Sequence, residues 1–526
     1  MTGTDPTHDE AAALPEEPTG TEFDDDSELT GASEPQSSTR RPVSARAAAM
    51  VGARLIVGVV GIGTAAAVIL GASFLDLPST TVVPPSARIV PVPTAQQLTC
   101  PGPLLRLASE SGAEASSVFT LGEPTTRFSS SSGSVEQSRI TASDAETGEA
   151  VAAPLVLSAS PDAESSAGAV RLSGAQSQTV NVGDYVGFAS AGCRAVGGDS
   201  WLVGGATTTG RTTLISLTNP TEVASTVSLD IFDEDGAVSA AGTAGIVVPP
   251  NGQRVLSLAG FAPGATSPVV HVSSTGGQIT AELQQSIVRG LDAGGVEIVG
   301  ATQPPSRSLV IPGMVVTGLE AVQALRGAVT QTDDLVAVLR VFAPGEDSAT
   351  ISVTLTPSDV AREPITFTLD VSAGVVTDIP IEELATGTYT VQIDSDEPIV
   401  ASARTTSALL AGAVVTATDF AWFAASPTLV DDTQFTVAPG LPAVLNVANP
   451  GEVSVQLTLT SADGSVAEST IEPATTLRVP LAQGETYELG HSARINVSVT
   501  QARSGFIASY VIDPQTPGSS PLTVFP

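Results

Sequence analysis

Three histidines, two cysteines, two tryptophans and a surplus of carboxylates are the groups in this 526-residue chain that could do chemistry. His8, His271 and His491 stand far apart, and none lies in the H-E-x-x-H or C-x-x-C context of a zinc site. All 21 basic residues are arginines. Without lysine a Walker A loop, an S-x-x-K nucleophile and a Schiff-base lysine are excluded, and no G-x-S-x-G elbow occurs. Asp230, Asp233, Glu234 and Asp235 form the densest acidic cluster after residue 75. Its oxygens suit calcium, but the spacing is not that of an EF-hand loop, so it reads as a solvated hairpin. Paired carboxylates for glycoside hydrolysis depend on convergence in space, which makes a carboxylate-dependent hydrolase the least favoured reading. We expect no enzyme, no cofactor and no metal site.

Trp201 and Trp422 lie in the segments DSWLVGG and DFAWF, which read as related lead-in strands. They are either core aromatics at domain junctions or, with Tyr389, Tyr487 and Tyr510, a stacking platform for sugar rings. Cys100 and Cys193 are the only cysteines, and a single disulfide between them is expected if this part of the chain is exported. The stretch QLTC around Cys100 is a poor lipid-attachment motif, because the apolar run ends far upstream.

The elements that must position these residues begin with Leu55–Leu75, LIVGVVGIGTAAAVILGASFL, an uncharged run of 21 residues. It is long enough to cross a bilayer as one helix. Arg40, Arg41, Arg46 and Arg54 precede it, and no base follows until Arg88, so the N-terminus is expected in the cytoplasm and the remainder outside. The 54 residues before the run and its full length argue against a cleaved signal. A strict G-x-x-x-G is missing, so the span gives little reason to expect dimerisation within the membrane. Residues 1–39 carry 11 acids and no base and are expected to be disordered. The part after the span keeps 44 acids against 17 arginines, a surface that repels nucleic acid.

After a Pro-rich stalk, runs of β-branched residues alternate with Gly, Pro, Asn and Asp turns, the pattern of a sandwich or barrel. GLEAVQALRGAV (318–329) and IEELA (381–385) are the two helix-like exceptions. An internal repeat organises this region. LISLTNPTEVASTVSLDIFDEDG (214–236), LVAVLRVFAPGEDSATISVTLTPSD (335–359) and VLNVANPGEVSVQLTLTSADG (444–464) share an apolar strand, a proline stop, an alternating strand and a turn. Pro220 and Pro450 cannot donate a ladder bond, and Asn219 and Asn449 suit the bend before them. The expected class is all-β, with tandem immunoglobulin-like sandwiches after one transmembrane helix and a disordered tail. The divisions read as 1–54 acidic tail with a basic juxtamembrane end, 55–75 transmembrane helix and 76–99 stalk. A β-rich membrane-proximal domain at 100–205 follows, then repeats at 206–305, 306–410 and 411–526.

WLVGGATTTGRTTLISLTNP (201–220), VVPPNGQRVLSLAGFAPG (247–264) and the AWF…VLNVANP…DG block (421–464) resemble an uncharacterised actinobacterial family of N-terminally anchored exported proteins. The abundance of Ala, Gly, Val and Thr fits a high-GC genome. The resemblance implies an envelope location and no activity. The expected role is a membrane-anchored extracytoplasmic scaffold supporting wall polysaccharide assembly, with an envelope partner such as a membrane glycosyltransferase. A carbohydrate-binding array on cell-wall glycan is the alternative.

Overall fold

The computed structural model describes residues 95–515, apart from 108–117, 132–133, 147–152, 162–169, 330–331 and 383, together with strands Ala87–Ile89 and Leu522–Val524. The expected membrane span and acidic tail lie outside these residues. Among the described residues no helix is long and apolar enough to cross a membrane. The class is all-β, with α1 (Leu319–Ala328) as the one described α-helix. It stands where GLEAVQALRGAV predicts it. IEELA instead ends a strand, Val376–Ile381, because pairing with Ala337–Phe342 overrides local propensity.

Alternation builds the sandwiches. In Ser225–Asp233, Val227, Leu229 and Ile231 are buried while Thr226 and Asp230 are exposed. Val270 and Val272 come from the same sheet, and Ile215, Leu217 and Leu283 from the facing one, to complete that core. The chain repeats this arrangement with one strand order. Leaving aside the two-residue strand Gly236–Ala237, the strands of the second sandwich (199–299) pair in the orders first-sixth-third-fourth and fifth-second-seventh-eighth. The third (306–424) and fourth (433–511) sandwiches keep both orders. In the third, one 25-residue strand, Gly387–Ala411, serves as sixth and seventh strand at once.

The region 96–192, expected as a separate membrane-proximal domain, is a reduced copy of the same unit. Gln96–Thr99, Leu155–Ala159 and Glu136–Arg139 form one sheet, and Thr125–Ser130 with Leu172–Val182 and Tyr185–Gly192 forms the other. Among the described residues it shows no fourth or fifth strand. As folded, the second, third and fourth sandwiches begin at 199, 306 and 433. The Trp201 strand opens the second sandwich, whereas the Trp422 strand closes the third, so the two are not related lead-ins.

Each copy ends in a long hairpin. These are β1 (Leu172–Val182) with β2 (Tyr185–Gly192), β3 (Thr280–Arg289) with β4 (Asp292–Val299), β5 (Gly387–Ala411) with β6 (Val414–Ala424), and β7 (Ile495–Arg503) with β8 (Phe506–Val511). Each hairpin turns through two residues that include one glycine of positive φ: Gly183, Gly290, Gly412 or Gly505. β2 and β6 each pack on both β4 and β8, so the second strands of the four hairpins close a ring. The four sandwiches are a closed body around this hub.

Asn219 and Asn449 hold equivalent bends. Asn219 Nδ2 donates to the carbonyls of Val223 and Val248, and its Oδ1 accepts the Thr221 N–H. Asn449 does the same with Val453, Ile471 and Gly451. Each asparagine ties the proline bend to the neighbouring edge strand, which makes it structural. The third copy has Ala343 there and lacks the brace. Asn449→Ala is expected to cost about 2 kcal/mol in urea unfolding, since the buried carbonyl of Ile471, the part-buried one of Val453 and an N–H lose their partner. A midpoint equal to wild type would show that the bend holds without it.

Candidate site at the four-hairpin hub

β-strand alternation places one residue of every pair on the outer face of its sheet, and along the hub hairpins those outer faces are covered by the next sandwich. In β3, Ala281, Leu283 and Ile287 fill the sandwich core while Glu282 and Gln284, also buried, lie on the opposite face, toward other sandwiches or the hub. Gln284 clamps the N–H of Leu105 and the carbonyl of Pro103, and Gln178 clamps the N–H of Leu104 and the carbonyl of Leu121.

At the centre Asp419 of β6 is fully buried. Its carboxyl accepts N–H bonds from Phe188 in β2 (2.9 Å), Val296 in β4 (3.1 Å) and Ile507 in β8 (3.4 Å). One side chain thus joins all four sandwiches. Gly295 has φ +120°, and a Cβ there would sit 2.6 Å from the Asp419 carboxylate and 2.7 Å from the Phe420 ring. Burial holds the Asp419 carboxyl well above its ordinary range, against the pull of its N–H donors. Burial, then the neighbouring Asp419, does the same to Glu297.

Arg340 interlocks the second and third sandwiches. Its Nε and Nη2 grip Asp378 at 2.7 and 2.9 Å, and Nη1 and Nη2 donate to the carbonyls of Gly205, Pro268 and Thr266. All five N–H donors of the guanidinium are used, which a lysine could not reproduce. The same cation lies 4.7 Å from the Trp422 ring centre. Beside it Asp334, in the segment that follows α1, bridges Arg211 (2.9 Å) and Arg289 (2.7 Å). Burial raises the carboxyls of Asp334 and Asp378, but the arginines outweigh it and hold both low.

The aromatics are structural in placement. Trp422 is 2 % exposed and donates to Gln285, and Trp201 is 8 % exposed and stacks on His271 at 4.3 Å. Tyr389 and Tyr510 are buried, and the hydroxyls of Tyr389 and Tyr487 bond backbone groups nearby. None of the four buried rings presents an open face for a sugar. His271 lies between Asp199 and Asp230, one carboxylate on each ring nitrogen, so the three groups cannot converge on one ion. Glu234 turns away to accept the N–H groups of Thr266 and Ser267. Among the described residues no group of three potential ligands could hold a metal. Cys100 and Cys193 are joined, as the pair alone predicts.

Immediately after the disulfide, Arg194 is bidentate with Asp513 (2.7 and 2.9 Å) and donates to the carbonyl of Ala301. It borders two spaces. One is a cleft of about 170 Å³ lined by Asp199, Trp201, Thr280 and Pro304. The other is a chamber of about 30 Å³ inside the ring, where Ala191, Val299, Trp422 and Tyr510 approach from the four hairpin strands. Glu282 faces this chamber. Burial lifts its carboxyl to about 7, against the charge of Arg194 and the nearby Thr280 hydroxyl. Neither carboxyl oxygen makes a hydrogen bond. Sequence reasoning missed Glu282, Asp419 and Arg340 because on a strand an outward polar residue reads as solvated.

These shifts have a signed consequence. A carboxyl whose folded value is raised stabilises fully below its unfolded value and loses that contribution as pH rises through the folded value. For Glu282 the window is pH 4.5 to about 7, worth at most about 3 kcal/mol. Asp334 and Asp378 act oppositely and lose stability only in more acidic solution. Melting temperature is expected to fall between about pH 5 and pH 8, and Glu282→Gln to flatten part of that fall. An unchanged slope in the variant would remove Glu282 as its cause.

Among curated proteins nothing matches the chain. Two solved structures align weakly. The crystal structure of Thermotoga maritima 1070 shares 15 % identity over 23 % of this chain and 92 % of its own, with a TM-score of 0.17. That of the chicken CNTN1 FN1–FN3 domains shares 10 % over 63 % and 99 %, with a TM-score of 0.09. Neither score carries an argument about fold. The family model matches residues 142–482, from within the first sandwich into the fourth, and takes in three of the four hub hairpins whole; by that match over more than half of its length, this chain belongs to the family of unknown function DUF5719.

Proposed function

We propose that the chain is a membrane-anchored, exported interaction protein of an actinobacterial cell envelope, and that its body is one platform of immunoglobulin-like repeats. The carrying observation is how the hub spends its chemistry. Asp419, Arg340, Asp334 and Trp422 are committed to joining sandwiches, which is what a rigid scaffold needs. The apolar run Leu55–Leu75 with its preceding arginines supports the anchor, and the Cys100–Cys193 bond supports an oxidising location. The partner proposed is a membrane-embedded enzyme of wall polysaccharide assembly, held close to the bilayer by the stalk.

The test uses the full chain in its native membrane. A reporter fused after Pro526 should be active only outside the cytoplasm, and in vivo crosslinking should recover an envelope membrane protein repeatedly. Reporter activity confined to the cytosol would overturn the location. Recovery of no specific envelope protein would overturn the scaffold role.

A further inference from the structure

The chamber within the hairpin ring poses a physical problem. Glu282 is 1 % exposed, and both of its carboxyl oxygens lack a hydrogen bond. A buried carboxylate without donors is costly, and native interiors rarely leave one. Arg194 makes no hydrogen bond to it, and three of its five N–H groups go to Asp513 and the carbonyl of Ala301. The hydroxyl of Thr280, two residues earlier on the same face of β3, acts on this carboxyl but makes no hydrogen bond of good geometry. Two polar side chains, each at least nine-tenths buried, thus stand open on adjoining walls.

We propose that this chamber binds the protonated amine of a small ligand, with Glu282 as its counter-ion and the neighbouring cleft holding the ligand's body. The size fits, since about 30 Å³ accepts a group the size of water or ammonium, and about 170 Å³ outside accepts a short carbon skeleton. The charge fits too. Arg194 is shared with Asp513, so Glu282 has no cation of its own, and an ammonium donates up to three charge-assisted bonds to acceptors around it. A divalent metal fits less well, because it needs six or more oxygens. Arg194 and Ala301 border both spaces, so the two lie side by side. This inference is independent of the scaffold reading and concerns the exported body alone.

The experiment is a thermal-shift and calorimetric titration of the full chain in detergent, in an amine-free phosphate buffer at about pH 8. Methylammonium chloride and ethanolamine are the probes, with sodium chloride and ethylene glycol as matched controls. Both amines should raise the melting temperature saturably, and the controls should not. Glu282→Gln should weaken amine binding by about tenfold or more while the circular dichroism spectrum is kept. Thr280→Val, which leaves the carboxyl in place, should weaken it by a few-fold. A response no larger than that to sodium chloride would overturn the site, as would equal binding of ethylene glycol. Undiminished amine binding in both variants would also overturn it, by placing the amine elsewhere.

Discussion

Asp419→Ala is expected to separate the four sandwiches energetically. The substitution leaves the N–H groups of Phe188, Val296 and Ile507 without their acceptor in a fully buried centre. Each lost partner costs about 1–3 kcal/mol, so the sum is on the order of 5 kcal/mol. The loss falls on contacts between sandwiches, because no sandwich core contains this side chain. Calorimetry should therefore show the wild-type transition dividing into several, with each core still melting. Asp419→Asn keeps an acceptor oxygen and resembles the protonated acid that burial favours, so it should cost about 1–2 kcal/mol. Gly295→Ala should reproduce the alanine phenotype from the other side, since its Cβ would strike the Asp419 carboxyl and the Phe420 ring. If Asp419→Ala melts as wild type does, the hub is not what couples the sandwiches.

How the chain folds within each repeat could be read from local chemistry. Val227, Leu229 and Ile231 alternate with polar neighbours, Pro220 and Pro450 stop their strands, and Asn219 and Asn449 brace the bends after them. These signals act over a few residues, so a sequence carries them openly. The hub was illegible because its residues obey the same alternation as solvent-facing ones. Glu282 and Gln284 in AELQQS occupy the positions that a one-sided strand gives to water, and only the approach of three other hairpins buries them. Asp419 next to Phe420 gave no local sign that it would bond three distant strands. The first sandwich escaped notice for a different reason. Among the described residues it shows neither the fourth nor the fifth strand, and its sequence has no Asn-Pro, so the repeat it retains is topological. Trp201 and Trp422 sit in segments of similar sequence, yet Trp201 begins a sandwich and Trp422 ends one.

Breaking the Cys100–Cys193 bond tests cooperativity and location together. The bond closes a loop of 93 residues within the first sandwich. The chain-entropy account assigns such a loop about 4.5 kcal/mol of stability. How that energy appears depends on coupling. If the first sandwich, roughly 100 residues, melted alone, its unfolding entropy of about 0.2 kcal/mol/K would turn the loss into a fall of about 20 °C. Spread over one cooperative body of roughly 420 residues, the same loss is about 5 °C. The ring predicts the smaller figure, because β2 is held by β4 and β8 and the tail residues Asp513 and Gln515 bind Arg194 and Leu172 across the first and fourth sandwiches. A Cys100→Ser, Cys193→Ser double variant of the full chain should therefore melt about 5 °C lower in one transition. Combined with Asp419→Ala, it should show the larger fall in a separate early transition, since the hub no longer shares the cost. A fall near 20 °C with Asp419 intact would mean that the first sandwich stands apart. Thiol labelling of intact cells adds the compartment: the wild-type pair should resist alkylation until reductant is supplied, and prompt labelling would contradict export.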